Sequence, residues 1–215
     1  MPPTLVNVAV GILLGVALLG AAFDRHSIAI VAAVAGIPDL DAVISLVVPG
    51  ATNAALHTLF IPAIAAALLY YDTEHRADSW LRRRYGWYGV RVAWVAIAAY
   101  AVAGIGLDLF NIESAAALYP VSDRYYSIVG RFILSTQEGV IQTYIEVADG
   151  WLKVASPGTT ETHHVNTWIN PTPGTGNPAG VERNIRIVDS GWQFVLVVTA
   201  VAAVPAKYLI ERGDV

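Results

Sequence analysis

The sequence predicts a mainly α-helical, polytopic membrane protein: a bundle of about five transmembrane helices with a small β-rich extracytoplasmic cap. Of its 215 residues, 55% are hydrophobic and only 14% are charged, whereas a soluble domain carries about 25% charged residues. The apolar residues are gathered into long runs, which is typical of membrane-spanning helices rather than of one large soluble core. The net charge of −4 provides no strong field for nucleic acid, so we expect no nucleic-acid partner.

Five apolar runs approach the 20 or so residues that a membrane span needs. They are Leu5–Phe23, Ser27–Val48, Ala54–Tyr71, Trp87–Leu107 and Trp192–Ile210. These runs predict three regions: a four-helix membrane core over residues 1–110, an extracytoplasmic cap over residues 111–190, and a fifth transmembrane helix with a cytoplasmic tail over residues 191–215.

Arginine and lysine predict the orientation, because cytoplasmic loops of membrane proteins carry an excess of them. If the segments between spans alternate sides, Arg25, the run Arg82–Arg84, Lys207 and Arg212 all fall on one side. The long segment after Asp108 falls on the other. We therefore expect a multi-pass protein of the cell membrane, with a cytoplasmic C-terminus and an extracytoplasmic cap.

The cap shows weak strand signals. Residues 139–152 alternate apolar and polar side chains, and residues 181–188 form a second strand candidate. Between them, residues 157–180 are rich in Pro, Gly, Thr and Asn and predict a loop.

The most informative motif is Pro38-Asp39-Leu40-Asp41, which lies inside an otherwise apolar run. A carboxylate in hydrocarbon costs roughly 2.5–3.5 kcal/mol on insertion scales. Asp39 and Asp41 therefore need a stabilising partner: a cation, a proton, or water in a cavity.

Two more polar residues fall at a similar depth in the predicted topology. His57 begins the third run, and Asp108 ends the fourth. Three carboxylates and one imidazole suit a divalent cation such as Zn²⁺, Mn²⁺ or Mg²⁺, so Asp39, Asp41, His57 and Asp108 are the predicted metal ligands. Protonated carboxylates, or carboxylates paired with Arg91 or with backbone donors, remain the alternative.

The motifs resemble those of the membrane-bound metal-dependent hydrolase family, which includes LexA-regulated hydrolases. The resemblance rests on residues 38–41, on Leu56-His57-Thr58, and on Leu107-Asp108-Leu109-Phe110 followed by Leu118-Tyr119-Pro120. It covers roughly the first 125 residues. It implies a mostly helical fold, the same metal-binding residues, and hydrolysis of a phosphoester at a metal centre.

At three positions this chain departs from the family pattern, which has histidine where Asn7, Thr52 and Gly104 stand here. The resemblance then implies either one metal held mainly by oxygen ligands or a degenerate member without catalysis.

The leading expectation is thus a phosphoester or lipid hydrolase with an outward-facing metal site and membrane lipid as its partner. The alternative is a non-catalytic membrane subunit or scaffold whose cap binds a partner protein, or which forms a homo-oligomer. Ion or proton transport through the aspartates is a third, weaker alternative.

Overall fold

The computed structural model describes residues 2–148, 151–174 and 179–213. Helices make up 52% of the protein, which confirms the mainly α class. The helices are α1 (Thr4–Leu18), α2 (Arg25–Gly36), α3 (Asp41–Ile44), α4 (Phe60–Tyr70), α5 (Trp80–Ala99), α6 (Leu107–Leu109) and α7 (Gly191–Arg212). Short 3₁₀ turns cover Gly20–Ala22 and Pro38–Leu40, and π-helical turns cover Tyr71–His75 and Tyr100–Gly106.

The prediction of five transmembrane helices is wrong for the described residues. Two helices there are long and apolar enough to cross a membrane, Trp80–Leu109 and Gly191–Glu211, and a bent pair, Arg25–Gly36 with Pro38–Ile44, makes a third if it counts as one span. Two such helices are consistent with a membrane location, and they coincide with the predicted fourth and fifth spans.

The other spans fall short because the apolar runs do not stay helical. Helix α1 has 15 residues, about 22 Å at 1.5 Å per residue, against a hydrocarbon core of about 30 Å. The second run bends by 44° at its proline, which cannot continue the hydrogen-bond ladder. Of the third run, only Phe60–Tyr70 is α-helical.

The chain divides into two compact units, and one of them is helical. It comprises residues 2–39, 59–104 and 186–213. Helix α1 packs against α2 and α7, and α2 packs against α5. Small side chains permit this close approach: a Cβ added at Gly11 would lie only 2.5 Å from the Cβ of Ala35, the kind of contact that associates helices in membranes.

The second unit comprises residues 40–58 and 105–185. Its buried cluster is formed by Ala54, Ala116, Tyr125 and Val165. The predicted regions, with boundaries at 110 and 190, stay a prediction.

The strands of this unit form two small antiparallel hairpins. They are β1 (Phe132–Ser135) with β2 (Gly139–Gln142), and β3 (Glu146–Ala148) with β4 (Trp151–Lys153). The predicted strand at 139–152 is thus three shorter strands. The strand predicted at 181–188 is wrong, because that segment has no ladder partner among the described residues.

Candidate metal site

His57 is the centre of a buried polar cluster. Its side chain is fully buried, and Nδ1 lies 2.7 Å from Oδ2 of Asp41, which is also fully buried. The same Oδ2 accepts a hydrogen bond of 3.2 Å from the backbone N–H of Ala54. If Asp41 is ionised it can only accept, so Nδ1 of His57 then carries the proton of this hydrogen bond.

Asp108 lies on the opposite side of the imidazole ring. Its Oδ2 is 3.2 Å from Nε2 of His57, yet Oδ2 accepts no hydrogen bond from the described residues. The two atoms are therefore close together without a hydrogen bond between them. Two ligands of one metal ion have this relationship: bonds near 2.1 Å at octahedral or tetrahedral angles separate ligand atoms by roughly 3.0–3.4 Å.

Asp39 completes the candidate set. It is buried, with 7% of its surface exposed. One ligand atom from each of Asp39, His57 and Asp108 lies within 4.8 Å of the others, so this group could hold a metal ion.

Each of the three residues is held by a buried polar partner. The amide of Asn7 donates to both oxygens of Asp39, at 3.0 and 3.3 Å. Asp41 accepts from Nδ1 of His57. Such partners orient metal ligands and tune their basicity. Asp41 is thus the predicted ligand that forms a hydrogen bond with His57, and its role as a metal ligand stays a prediction.

Asn53 contacts the candidate site and is not among the residues that the sequence predicts. Its Nδ2 donates to Oδ1 of Asp108 and to the backbone carbonyl of Ser114, both at 2.9 Å. Its backbone is left-handed, with φ of 53°, a conformation that Asn tolerates better than most residues. The sequence feature that could indicate this contact is the position of Asn53 in the uncharged turn after Pro49-Gly50.

Tyr125 supports the loop that carries Asn53. Its ring is fully buried, and its hydroxyl lies 2.5 Å from the carbonyl oxygen of Thr52 and 3.2 Å from that of Gly50. Burial raises the pKa of Tyr125 above its ordinary value, with the charge of Asp41 adding to the effect. The hydroxyl therefore stays protonated and remains a donor to this loop at neutral and moderately alkaline pH.

The absence of a histidine at position 104 has a steric reason. A Cβ added at Gly104 would lie 2.5 Å from Cγ of Pro38, so a larger side chain would displace the turn that carries Asp39. At position 7, a neutral amide rather than an imidazole contacts Asp39. The site is consequently rich in oxygen and holds one imidazole.

Comparison with known proteins does not assign this chain to a family. No family model, no curated protein and no solved structure matches this chain. The function therefore has to be argued from the site.

Substitutions of Asn53 should separate its backbone role from its side-chain role. We expect Asn53→Gly to reduce the free energy of unfolding by about 2–4 kcal/mol, because Asp108 Oδ1 and the Ser114 carbonyl each lose a donor. Asn53→Ala should cost about 1 kcal/mol more, because alanine resists the left-handed backbone. Unfolding in detergent micelles with increasing denaturant measures both. Wild-type stability in Asn53→Gly would show that the two hydrogen bonds contribute nothing.

Proposed function

We propose that this protein is a membrane-embedded, metal-dependent hydrolase that cleaves a phosphoester, with Asp39, His57 and Asp108 as its metal ligands. The observation that carries the proposal is the pair formed by Nε2 of His57 and Oδ2 of Asp108, which are 3.2 Å apart and both buried. When Nδ1 of His57 carries the proton, Nε2 and Oδ2 are both acceptors, and a positive charge beside them stabilises two buried acceptors at this distance. A divalent cation supplies that charge to both, and to Asp39 as well.

The hydrogen bonds around the proposed ligands support a bound metal ion rather than a proton between His57 and Asp108. Three ligand side chains on separate segments each have a buried polar partner that holds them in place: Asn7 for Asp39, Asp41 for His57 and Asn53 for Asp108. A metal site needs ligand side chains that are held in position in this way.

The donor set narrows the choice of metal. Two carboxylates and one imidazole suit Mn²⁺ or Zn²⁺ better than Mg²⁺, which prefers oxygen ligands and several waters. When bound, such an ion polarises a phosphoryl oxygen and lowers the pKa of water. The protein's own residues hold the ligands, and Asp41 keeps the imidazole in the tautomer that presents Nε2.

The depth of the site favours a lipid phosphoester. Asp108 is the penultimate residue of the candidate span Trp80–Leu109. If that helix crosses the membrane, its end lies near the level of the lipid headgroups. The phosphoester bonds of phospholipids lie at the same level.

Hydrolysis in reconstituted vesicles tests this proposal. Wild-type protein should release phosphate or a phosphorylated headgroup from one member of a phospholipid panel when Mn²⁺ or Zn²⁺ is added. Asp39→Asn should abolish the release, because it removes the charge of one ligand. Asp123→Asn is the matched control, since Asp123 is exposed. Activity that survives in Asp39→Asn would contradict the mechanism.

A non-catalytic scaffold is the second candidate, and the first hairpin favours it. Phe132, Leu134 and Val140 are 69%, 78% and 62% exposed, an unusual amount of apolar surface for so small an element. Metal binding without hydrolysis, together with a partner that co-purifies in fixed stoichiometry and is lost in Leu134→Asn, would support the scaffold instead.

A further inference from the structure

A second polar feature of the helical unit lies apart from the metal ligands. It is an open pocket of about 350 Å³ between the turn that follows α1 and the first half of α5. The pocket is lined by Leu19, Ala21, Ala22, Trp87, Tyr88 and Arg91. Arg91 is the one charged residue among them.

The protein contacts of Arg91 occupy only some of the hydrogen-bond donors of its guanidinium group. Its Nε donates to the carbonyl of Leu18 at 2.7 Å, and Leu18 is the last residue of α1, where carbonyls lack helical partners. Within the described ranges this is its one hydrogen bond. The two terminal nitrogens of the guanidinium are therefore available to a ligand, and they form a fork that matches a phosphate group.

The residues around Arg91 are of the types found at a membrane surface. Gly86 breaks α5, with φ of 63°, and Trp87 after it is 68% exposed. Exposed tryptophan and tyrosine are enriched where lipid headgroups meet hydrocarbon. Arg91 lies four residues further along, about 6 Å along the helix axis. If this helix crosses the membrane, a cation there is costly unless it reaches an anion.

The aromatic side chains of the pocket are themselves held in place. The guanidinium of Arg82 lies 4.2 Å from the centre of the Trp87 ring, and Arg82 is neutralised by Glu74. The Tyr88 hydroxyl donates to Oδ1 of Asp24 at 3.2 Å. Asp24 does not line the pocket and accepts the first backbone N–H groups of α2. The pocket therefore combines one available cation with two positioned rings.

We propose that this pocket binds the phosphate group of an anionic phospholipid, with Arg91 as the phosphate ligand and Trp87 packed beside the glycerol and upper acyl chain. The site is separate from the proposed metal centre and does not depend on catalysis. A basic pocket between membrane helices is a known way to bind anionic headgroups.

Native mass spectrometry of the full-length protein in detergent tests the proposal. Wild-type protein should retain phosphatidylglycerol in preference to phosphatidylcholine. Arg91→Gln should weaken that retention about fivefold, the equivalent of roughly 1 kcal/mol per basic side chain. Arg84→Gln is the matched control, because Arg84 is an exposed arginine of the same helix that does not line the pocket.

One further variant and one further ligand complete the test. Arg91→Lys keeps the charge and should recover part of the preference, and it replaces Arg91→Gln if that variant does not fold. Glycerol phosphate, which has no acyl chains, distinguishes a lipid from a soluble phosphate. Equal retention of the two lipids, unchanged retention in Arg91→Gln, or glycerol phosphate binding as strongly as phosphatidylglycerol would each overturn the proposal.

Discussion

Asp108→Asn is expected to abolish metal binding while leaving the metal-free protein at least as stable as metal-free wild type. Asn53 donates to Oδ1 of Asp108, so the new amide oxygen must occupy that position. The amide NH₂ group then occupies the position of Oδ2, 3.2 Å from Nε2 of His57. A donor would replace an acceptor at the point where a ligand atom is needed, and the mutual repulsion of two lone pairs would disappear.

Elemental mass spectrometry and unfolding in detergent measure the two parts of this prediction. Wild-type protein should retain about one equivalent of metal after purification, and Asp108→Asn should retain almost none. Without metal, the variant should gain about 1 kcal/mol from the hydrogen bond that its amide donates to His57. Asp123→Asn, at an exposed position, should match the wild type in both measurements.

The metal measurement and the stability measurement can each contradict the prediction separately. Metal retained by Asp108→Asn would remove Asp108 from the ligand set. A metal-free variant that is much less stable than metal-free wild type would show that His57 is protonated and already donates to Asp108, which would support a proton rather than a cation at this point.

Asp41→Asn is expected to weaken metal binding roughly 10–100-fold without changing the stoichiometry at saturating metal. That range is typical when a residue that orients a metal ligand is replaced. Oδ2 of Asp41 accepts from both His57 and Ala54, so an amide oxygen at this position keeps both hydrogen bonds. The imidazole stays oriented, but it loses the negative charge that makes Nε2 a stronger ligand.

Competition with a fluorescent chelator measures this affinity, and the comparison with Asp108→Asn assigns the role of Asp41. A complete loss of binding in Asp41→Asn, equal to that in Asp108→Asn, would mean that Asp41 is itself a ligand, as the sequence motif predicts. An unchanged affinity would mean that its charge has no influence on the metal.

Much of the candidate site could be predicted from the sequence, because ionisable groups inside apolar runs are rare and costly. That cost and a similar depth in the predicted topology indicate Asp39, Asp41, His57 and Asp108 as metal ligands. In the structure, Asp39, His57 and Asp108 form a group that could hold a metal ion. The geometry of Asp41 could not be predicted. Two carboxylates two residues apart look equivalent in sequence, and only the position of the imidazole distinguishes them.

Hydropathy alone does not predict the number of membrane-spanning helices correctly. Apolar composition does not reveal whether a run is one straight helix, and the second run bends at Pro38 while most of residues 45–58 is irregular. That loop is stabilised by distant residues: Tyr125 contacts the Thr52 carbonyl, and Ala116 donates to the carbonyl of Asn53. Hydrogen bonds between residues 73 and 63 positions apart leave no local pattern.

The mainly helical class, the two long apolar helices and the residues that need a partner in a buried site could be predicted from the chain alone, because composition and periodicity are properties of single segments. Only the fold shows that His57 lies between Asp41 and Asp108, that Asn53 holds Asp108, and that Gly104 has no room for a histidine. These are relations between segments that are distant in the chain, and folding alone brings them within a few ångströms.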